Sequence, residues 1–250
     1  TILDKAVSLS THKPIKKIIL QRKNFKLDLD LTEDADWDEF IDKGIKIDCK
    51  ELSSDDPLYI LHTSGTTGVP KGIVRTNGGH AVALLNSMKM TYKINENEVF
   101  WAASDVGWVV GHSYIVYAPL LLGCTTVLYE GKPVGTPDPG QFWRVISEYN
   151  VSSMFTAPTA IRAIKKEDPE GKELKKYNLS KLNYIFLAGE RADPESIKWT
   201  MKMTKKPVID HWWQTETGWP VAANPLGIEA LPIKTGSPTL AMPGYDVQVL

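Results

Sequence analysis

Between positions 99 and 210 the chain alternates short apolar runs with longer stretches that suit helices, and this rhythm restricts the fold more than any other feature. The apolar runs fall at 99–103, 125–129, 153–156, 184–188 and 208–210. The helix-compatible stretches fall at 111–122, 141–149, 159–166 and 194–203. A repeat of about 25 residues holds one strand and one returning helix, so successive strands run parallel. The expected class is therefore α/β, mainly parallel sheets covered by helices. With 42% hydrophobic and 24% charged residues, the 250 residues can supply such a core.

Ligands of these sheets bind at the carboxyl ends of the strands. That rule selects Ser104 to Gly107, Ala157-Pro158-Thr159, Gly189-Glu190-Arg191 and His211-Trp212-Trp213-Gln214-Thr215-Glu216. Two adjacent tryptophans that point opposite ways place one ring in the core and one against a ligand. Gln214 and Thr215 can hydrogen-bond a ligand or a phosphate. Glu216 is a hard oxygen donor suited to Mg2+, which takes few protein carboxylates together with phosphate oxygens. The plainer alternatives are core packing for the tryptophans and a surface charge for Glu216. Gly189 allows an aromatic ligand such as a purine to lie flat on the backbone, although a strand-ending Gly-Glu is often only a turn. His112 follows Trp108-Val109-Val110-Gly111 at a helix start. It is either a capped or core histidine, or an imidazole that orients a reacting carboxylate. Val109, Val110 and Trp213 can line a small apolar pocket.

Positions 63–72 read TSGTTGVPKG, after the apolar run Leu58-Tyr59-Ile60-Leu61 and before a helix-compatible stretch at 80–90. Strand, glycine-hydroxyl-lysine loop and helix start are the usual context of a phosphate cradle; the plainer alternative is a flexible polar surface turn. The P-loop pattern does not fit, because Lys71 follows Pro70 and Gly72 stands where Ser or Thr is needed.

The net charge of −1 gives no field for nucleic acid or an anionic membrane, and no apolar run approaches the 18 residues of a membrane span. Cys49 and Cys124 lie far apart without C-x-x-C spacing. That argues for a reducing intracellular compartment, cytoplasmic or, in a eukaryote, the mitochondrial matrix. In the first 57 residues Asp36 is a plausible N-cap for a short helix at 37–43. The aspartates at 28–38 lack the glycine and closing Glu of a calcium loop and read as solvated surface. The start in mid-helix and the end in an apparent strand read as an excerpt of a longer protein.

The motifs YILHTSGTTGVPKG, SDVGWVVGHSYIVYAPL, FTAPTAIRAI, LAGERADPES and DHWWQTETGWP together resemble the adenylate-forming superfamily. The form WWQTE marks its short-chain acyl-CoA synthetase branch, and GWVVGHSYIVYAPLL with LAGER is similar to the propionyl type. The resemblance spans roughly residues 57–250 and implies part of the large N-terminal domain of such a synthetase. It implies a partial N-terminal segment at 1–57 and an AMP-binding core at 58–250, with no C-terminal domain. The implied reaction joins a small carboxylate, propionate or acetate, to ATP and then to coenzyme A through acyl-AMP, with Mg2+ as metal. By motif position, Thr63, Ser64, Gly65, Thr66, Thr67, Gly68 and Lys71 resemble the β/γ-phosphate loop. Gly189, Glu190 and Arg191 resemble the adenine-side strand end. Asp210, His211, Trp212, Trp213, Gln214 and Thr215 resemble the segment around adenine and α-phosphate, and Glu216 resembles the metal ligand. Lys71, His112 and Glu216 are the implied catalytic residues. Trp213 resembles the floor of an acyl pocket completed by Val109, Val110 and Ala188; Ala188 stands where acetyl-type enzymes often have Val. Val110 and Ser152 fall at positions that approach coenzyme A, with Val110 replacing a common Thr. The ribose-binding Asp, the hinge and the adenylation Lys of the family would lie after Leu250, so a nucleotide-binding core of weak catalytic power is expected. The alternatives are a non-catalytic nucleotide-binding module and an adenylation domain that loads a carrier protein; WWQTE speaks against the latter.

Overall fold

The computed structural model describes residues 1–65 and 68–248. They form two compact units, Thr1–Glu51 and Leu52–Leu250, where the resemblance implied a division after 57. In the first unit, α1 (Ile2–Leu9) starts on a capping box between Thr1 and Asp4. β1 (Lys17–Ile19) pairs in parallel with β2 (Asp34–Asp36). The Asp36 carboxylate accepts the Asp38 N–H and so caps α2 (Trp37–Asp42), as its position predicts. Asp34, by contrast, has an internal role: its carboxylate lies 2.9 Å from the Lys17 ammonium, both largely shielded.

The second unit opens with β3 (Pro57–Thr63) and β4 (Lys71–Thr76), an antiparallel hairpin that pairs Thr63 with Lys71 and Leu61 with Ile73. The expected strand–loop–helix order thus gives way to strand–loop–strand. Ile73 and Val74 are β-branched and fit a pleated pairing better than a helix start. The glycine-rich loop is a hairpin connection, and α3 (Asn77–Met90) begins only after β4.

The main sheet contains β5 (Val99–Ala102), β6 (Thr125–Thr126), β7 (Ser153–Thr156), β8 (Tyr184–Leu187) and β9 (Val208–Asp210). Its order is β6-β5-β7-β8-β9, and every pairing is parallel. The strand order reverses between β5 and β7, which opens a crevice at the carboxyl ends there. Side chains alternate between two cores. Trp101, Met154, Ile185, Leu187 and Val208 pack with α6 (Gln141–Glu148), α7 (Pro158–Glu167) and α8 (Pro194–Thr204). Phe100, Ala102, Phe155, Phe186 and Ile209 pack on the other side with Leu84 and Met88 of α3 and with Tyr114 and Ile115.

The helix expected at 111–122 is a composite. α4 (Val109–Gly111) passes through a π-helical turn at His112–Tyr117 into α5 (Ala118–Leu122), which ends on Gly123 in the left-handed region. Gly111 is required here, since a Cβ would stand 2.4 Å from the Val106 Cα. The charged stretch 165–181 is mostly exposed, but it is anchored at Asp168 and Pro169. The buried Asp168 carboxylate accepts the Lys172 and Glu173 N–H groups at 2.7 and 2.8 Å, and the Trp199 indole N–H donates to the Pro169 carbonyl. A short pair, β10 (Ala222–Ala223) with β11 (Leu240–Ala241), backs the segment that leaves β9.

Candidate functional site

Two adjoining cavities open at the carboxyl ends of β7, β8 and β9. The larger, about 730 Å³, is bounded by Val109 and Val110 of α4, Phe155 of β7, Ala188 after β8, and Trp213 to Glu216 after β9. The smaller, about 510 Å³, is bounded by Arg191, Asp210, His211 and Trp212, and shares Gly189, Glu190, Trp213 and Gln214 with the first. Most of the sequence-selected residues therefore meet in one cleft.

The paired tryptophans divide as their spacing predicts. The Trp213 ring meets Tyr114 edge-on at 5.4 Å and lies against Phe155, so it closes the larger cavity from the core side. Trp212 is 46% exposed on the smaller cavity, and its backbone bonds to Val221 and Ala222 hold it there. Gly189 has φ +104°, a conformation that suits glycine, and nothing lies within 4 Å of where a Cβ would stand. Its backbone is thus bare toward the cleft. The Glu190 carboxylate lies 2.7 Å from Arg162 of α7, an exposed ion pair of small energetic weight.

Asp210 is 9% exposed, and burial raises its carboxyl to about 6, against the lowering effect of the Ala192 and His211 N–H groups and the nearby Arg191 charge. His211 borders the smaller cavity, but its ring is bolted into the core. Nδ1 lies 2.8 Å from the Leu187 carbonyl, which can only accept, so Nδ1 carries the proton. Nε2 then accepts the Tyr92 hydroxyl at 2.9 Å. Burial lowers this imidazole to about 4, which keeps it neutral near pH 7. His211 therefore positions the strand end from behind and has no free nitrogen for a ligand.

Several expected site residues stand outside both cavities. His112 packs against Tyr59 of β3, ring centroids 5.2 Å apart. Ser152 lies at the amino end of β7, where its hydroxyl accepts the Val99 N–H. That is the end of the sheet away from the cleft, because parallel strands put all their carboxyl ends on the other side. Thr63, Ser64, Gly65, Gly68 and Lys71 border neither cavity. Gly65 and Gly68 have φ +65° and +77°, and Lys71 is exposed at the start of β4. Thr66 and Thr67 lie outside the described residues. Conversely, Ser104, Ala157 and Thr159 line the larger cavity; the strand-end rule pointed at them, but no chemistry singled them out. Phe155 was hidden because it sits inside a strand; the alternation of Met154 and Phe155 between the two cores is the signal that finds it.

Glu216 is exposed at the rim of the larger cavity, and its carboxylate has no bond or ion pair to the described residues. No group of three or more His, Cys, Asp or Glu that could hold a metal occurs among the described residues. One free carboxylate beside a cleft large enough for a nucleotide fits Mg2+, which binds through one or two carboxylates plus substrate phosphates. It does not fit a metal that demands a full protein cage.

Comparison with known proteins agrees with this geometry. The family described as AMP-binding enzyme matches residues 3–250. The chain is 51% identical over 253 residues to the mitochondrial acyl-CoA synthetase short-chain family member 3 of Rattus norvegicus. It is 44% identical over 251 residues to the propionate–CoA ligase of Escherichia coli, and 53% identical over 249 residues to an uncharacterised protein of Pseudomonas aeruginosa. All of this chain is covered in each case, and it spans 37%, 40% and 40% of those relatives respectively. The parallel sheet, the cleft at its carboxyl ends and a match over nearly every residue lead to one conclusion: the chain belongs to the AMP-binding enzyme family.

Proposed function

We propose that this chain is the nucleotide- and acid-binding core of an AMP-forming acyl-CoA ligase for short carboxylates, with propionate favoured over acetate. The observation that carries the proposal is the composition of the larger cavity. Trp213, Phe155, Val109, Val110 and the small Ala188 make an apolar end, and the exposed Glu216 stands on the same lining. An acid with a short apolar tail fits such a site with its tail at the apolar end and its carboxylate at the mouth, where Mg2+ held by Glu216 would offset the repulsion between the two carboxylates. The names of the rat and Escherichia coli relatives support the same class.

In the proposed reaction a carboxylate oxygen attacks the α-phosphorus of ATP and pyrophosphate leaves. The thiol of coenzyme A then displaces AMP from the acyl-adenylate. The first step brings two anions together, so charge neutralisation and positioning supply the catalysis. Trp212 and the bare backbone of Gly189 receive the purine. Lys71 and the hairpin loop hold the β- and γ-phosphates, and Gln214 and Thr215 hydrogen-bond the nucleotide on the cleft side. Glu216 would hold Mg2+, which when bound neutralises phosphate charge.

The size of residue 188 gives a direct test. Ala188→Val narrows the apolar end, and in such pockets one methylene is worth about 1–3 kcal/mol, or 10–200-fold. The ratio of kcat/KM for propionate over acetate should fall about tenfold or more in the variant. A ratio unchanged by the substitution contradicts the assignment of the acyl pocket.

A further inference from the structure

We infer that Arg75 is a positioning residue for Glu216, a role that rests on the ligase reading. Arg75 is on β4, and its guanidinium crosses to the turn after β9, where it donates to three successive carbonyl groups. Nη2 donates to Thr215, and Nη1 donates to Glu216 at 3.2 Å and Thr217 at 3.3 Å. The next carbonyl, Gly218, accepts the Ser113 hydroxyl at 3.0 Å. Inside the turn the Gly218 N–H donates to the Gln214 carbonyl, and the Gln214 N–H donates to the Thr217 hydroxyl at 3.1 Å. Four consecutive carbonyls are thus held from outside the turn, three by one cation. Charge-assisted bonds of this kind are the stronger class, and a planar fork suits several acceptors at once.

Gly218 completes the device. It has φ +78°, and a Cβ there would stand 2.7 Å from the Arg75 Cζ, so the guanidinium lies flat against a position that only glycine leaves open. The contacts are all to backbone. The Glu216 side chain takes no part and is left exposed at the cavity rim. Arg75 is four residues beyond Lys71 on the strand that leaves the glycine-rich loop. One side chain therefore ties the hairpin that carries the candidate phosphate lysine to the turn that carries the candidate metal carboxylate. Lysine could not replace it, since a point ammonium does not reproduce the fork.

The test uses the full-length protein with Mn2+ as probe. Equilibrium Mn2+ affinity is read by electron paramagnetic resonance in the presence of a non-hydrolysable ATP analogue. The Mg2+ dependence of propionate-dependent pyrophosphate exchange is read alongside. Outer groups that orient metal ligands typically change affinity 10–100-fold when removed. Arg75→Ala should weaken Mn2+ about tenfold and raise the Mg2+ needed for half-maximal exchange by a similar factor, with KM for propionate within about twofold. Arg75→Lys should recover only part of the loss. Because Arg75 acts through Glu216, Arg75→Ala combined with Glu216→Gln should bind Mn2+ no worse than Glu216→Gln alone. Should Arg75→Ala fail to fold, Arg75→Lys and Ser113→Ala carry the same comparison with smaller shifts in the same direction. Unchanged Mn2+ affinity, additive losses in the double variant, or a rise in KM for propionate equal to the Mn2+ effect would each overturn the inference. Wild-type protein that exchanges pyrophosphate with no acid removes the ligase reading and this role with it; an active wild type with indifferent Arg75 variants removes only this role.

Discussion

His211 shows how a single side chain can serve the cleft without touching a ligand. Its Nδ1–H is committed to Leu187, the last residue of β8, and its Nε2 to Tyr92, just beyond α3. It therefore fixes the segment that carries both tryptophans to the neighbouring strand and to the helix behind. Tyr92→Phe keeps the ring packing and removes only the hydroxyl. The buried Nε2 is then left without a donor, at a cost of about 1–3 kcal/mol. Chemical denaturation should show a loss in that range, and a loss near zero would mean that the bond contributes nothing. The same residues set a pH dependence. Burial lowers both His211 and His80 to about 4, with the Arg75 and His112 charges also lowering His80. Between their ordinary value of 6.5 and about 4 the unfolded chain binds more protons at these sites, so stability falls as pH falls through that window. Asp210, raised by burial to about 6 from 3.8, opposes this, because between those values the folded chain binds the extra proton. Two groups outweigh one, and the denaturation midpoint should drop from pH 6.5 to pH 4. A midpoint that rises over that interval contradicts the burial of the two imidazoles.

Among the elements, the composite helix 109–122 has the closest hold on the acyl pocket. Val109 and Val110 reach the cavity only because Gly111 lets the backbone pass beside Asp105 and Val106. In Gly111→Ala the new methyl meets backbone atoms at 2.4–2.5 Å, and backbone cannot give way as a flexible side-chain end can. Overpacking of this kind costs about 1–3 kcal/mol. The variant should melt lower and show a raised KM for the acid; normal stability with normal KM would show that the helix start tolerates displacement. The order of strands and helices was legible in the sequence, because buried parallel strands need apolar runs and their helices need charged outer faces, although β6 keeps only Thr125–Thr126 of the run 125–129. The hairpin was not. A loop of glycine, threonine and proline is compatible with either a strand or a helix on its far side, and Gly72 and Arg75 within β4 obscure a short strand whose pairing depends on β3. The π turn was equally invisible, since no local propensity marks it; its His112 and Tyr117 rings pack against Tyr59, distant in sequence.

At the scale of the whole molecule, the cleft is a consequence of strand order. The reversal between β5 and β7 and the common direction of all five strands bring Ala188, Gly189, Trp212, Trp213 and Glu216 to one end. Gly189, Trp212, Trp213 and Glu216 were legible because each follows an apolar run, where the parallel-sheet rule applies; Ala188 closes such a run and was marked only by the resemblance. Ser152 and His112 stand outside the cleft because a motif gives a residue's neighbourhood in sequence and not the end of the sheet on which its side chain emerges. No described helix is long and apolar enough to cross a membrane. The chain spans 37–40% of its rat, Escherichia coli and Pseudomonas aeruginosa relatives, so the activity of those longer relatives is a separate matter from its own. The central claim concerns the acid that the cleft activates. Acid-dependent exchange of radiolabelled pyrophosphate into ATP, measured on the full-length protein with acetate, propionate and butyrate in parallel, tests it most directly. The account predicts exchange that requires a carboxylate and is fastest, by kcat/KM, with propionate; exchange with none of the three acids would contradict it.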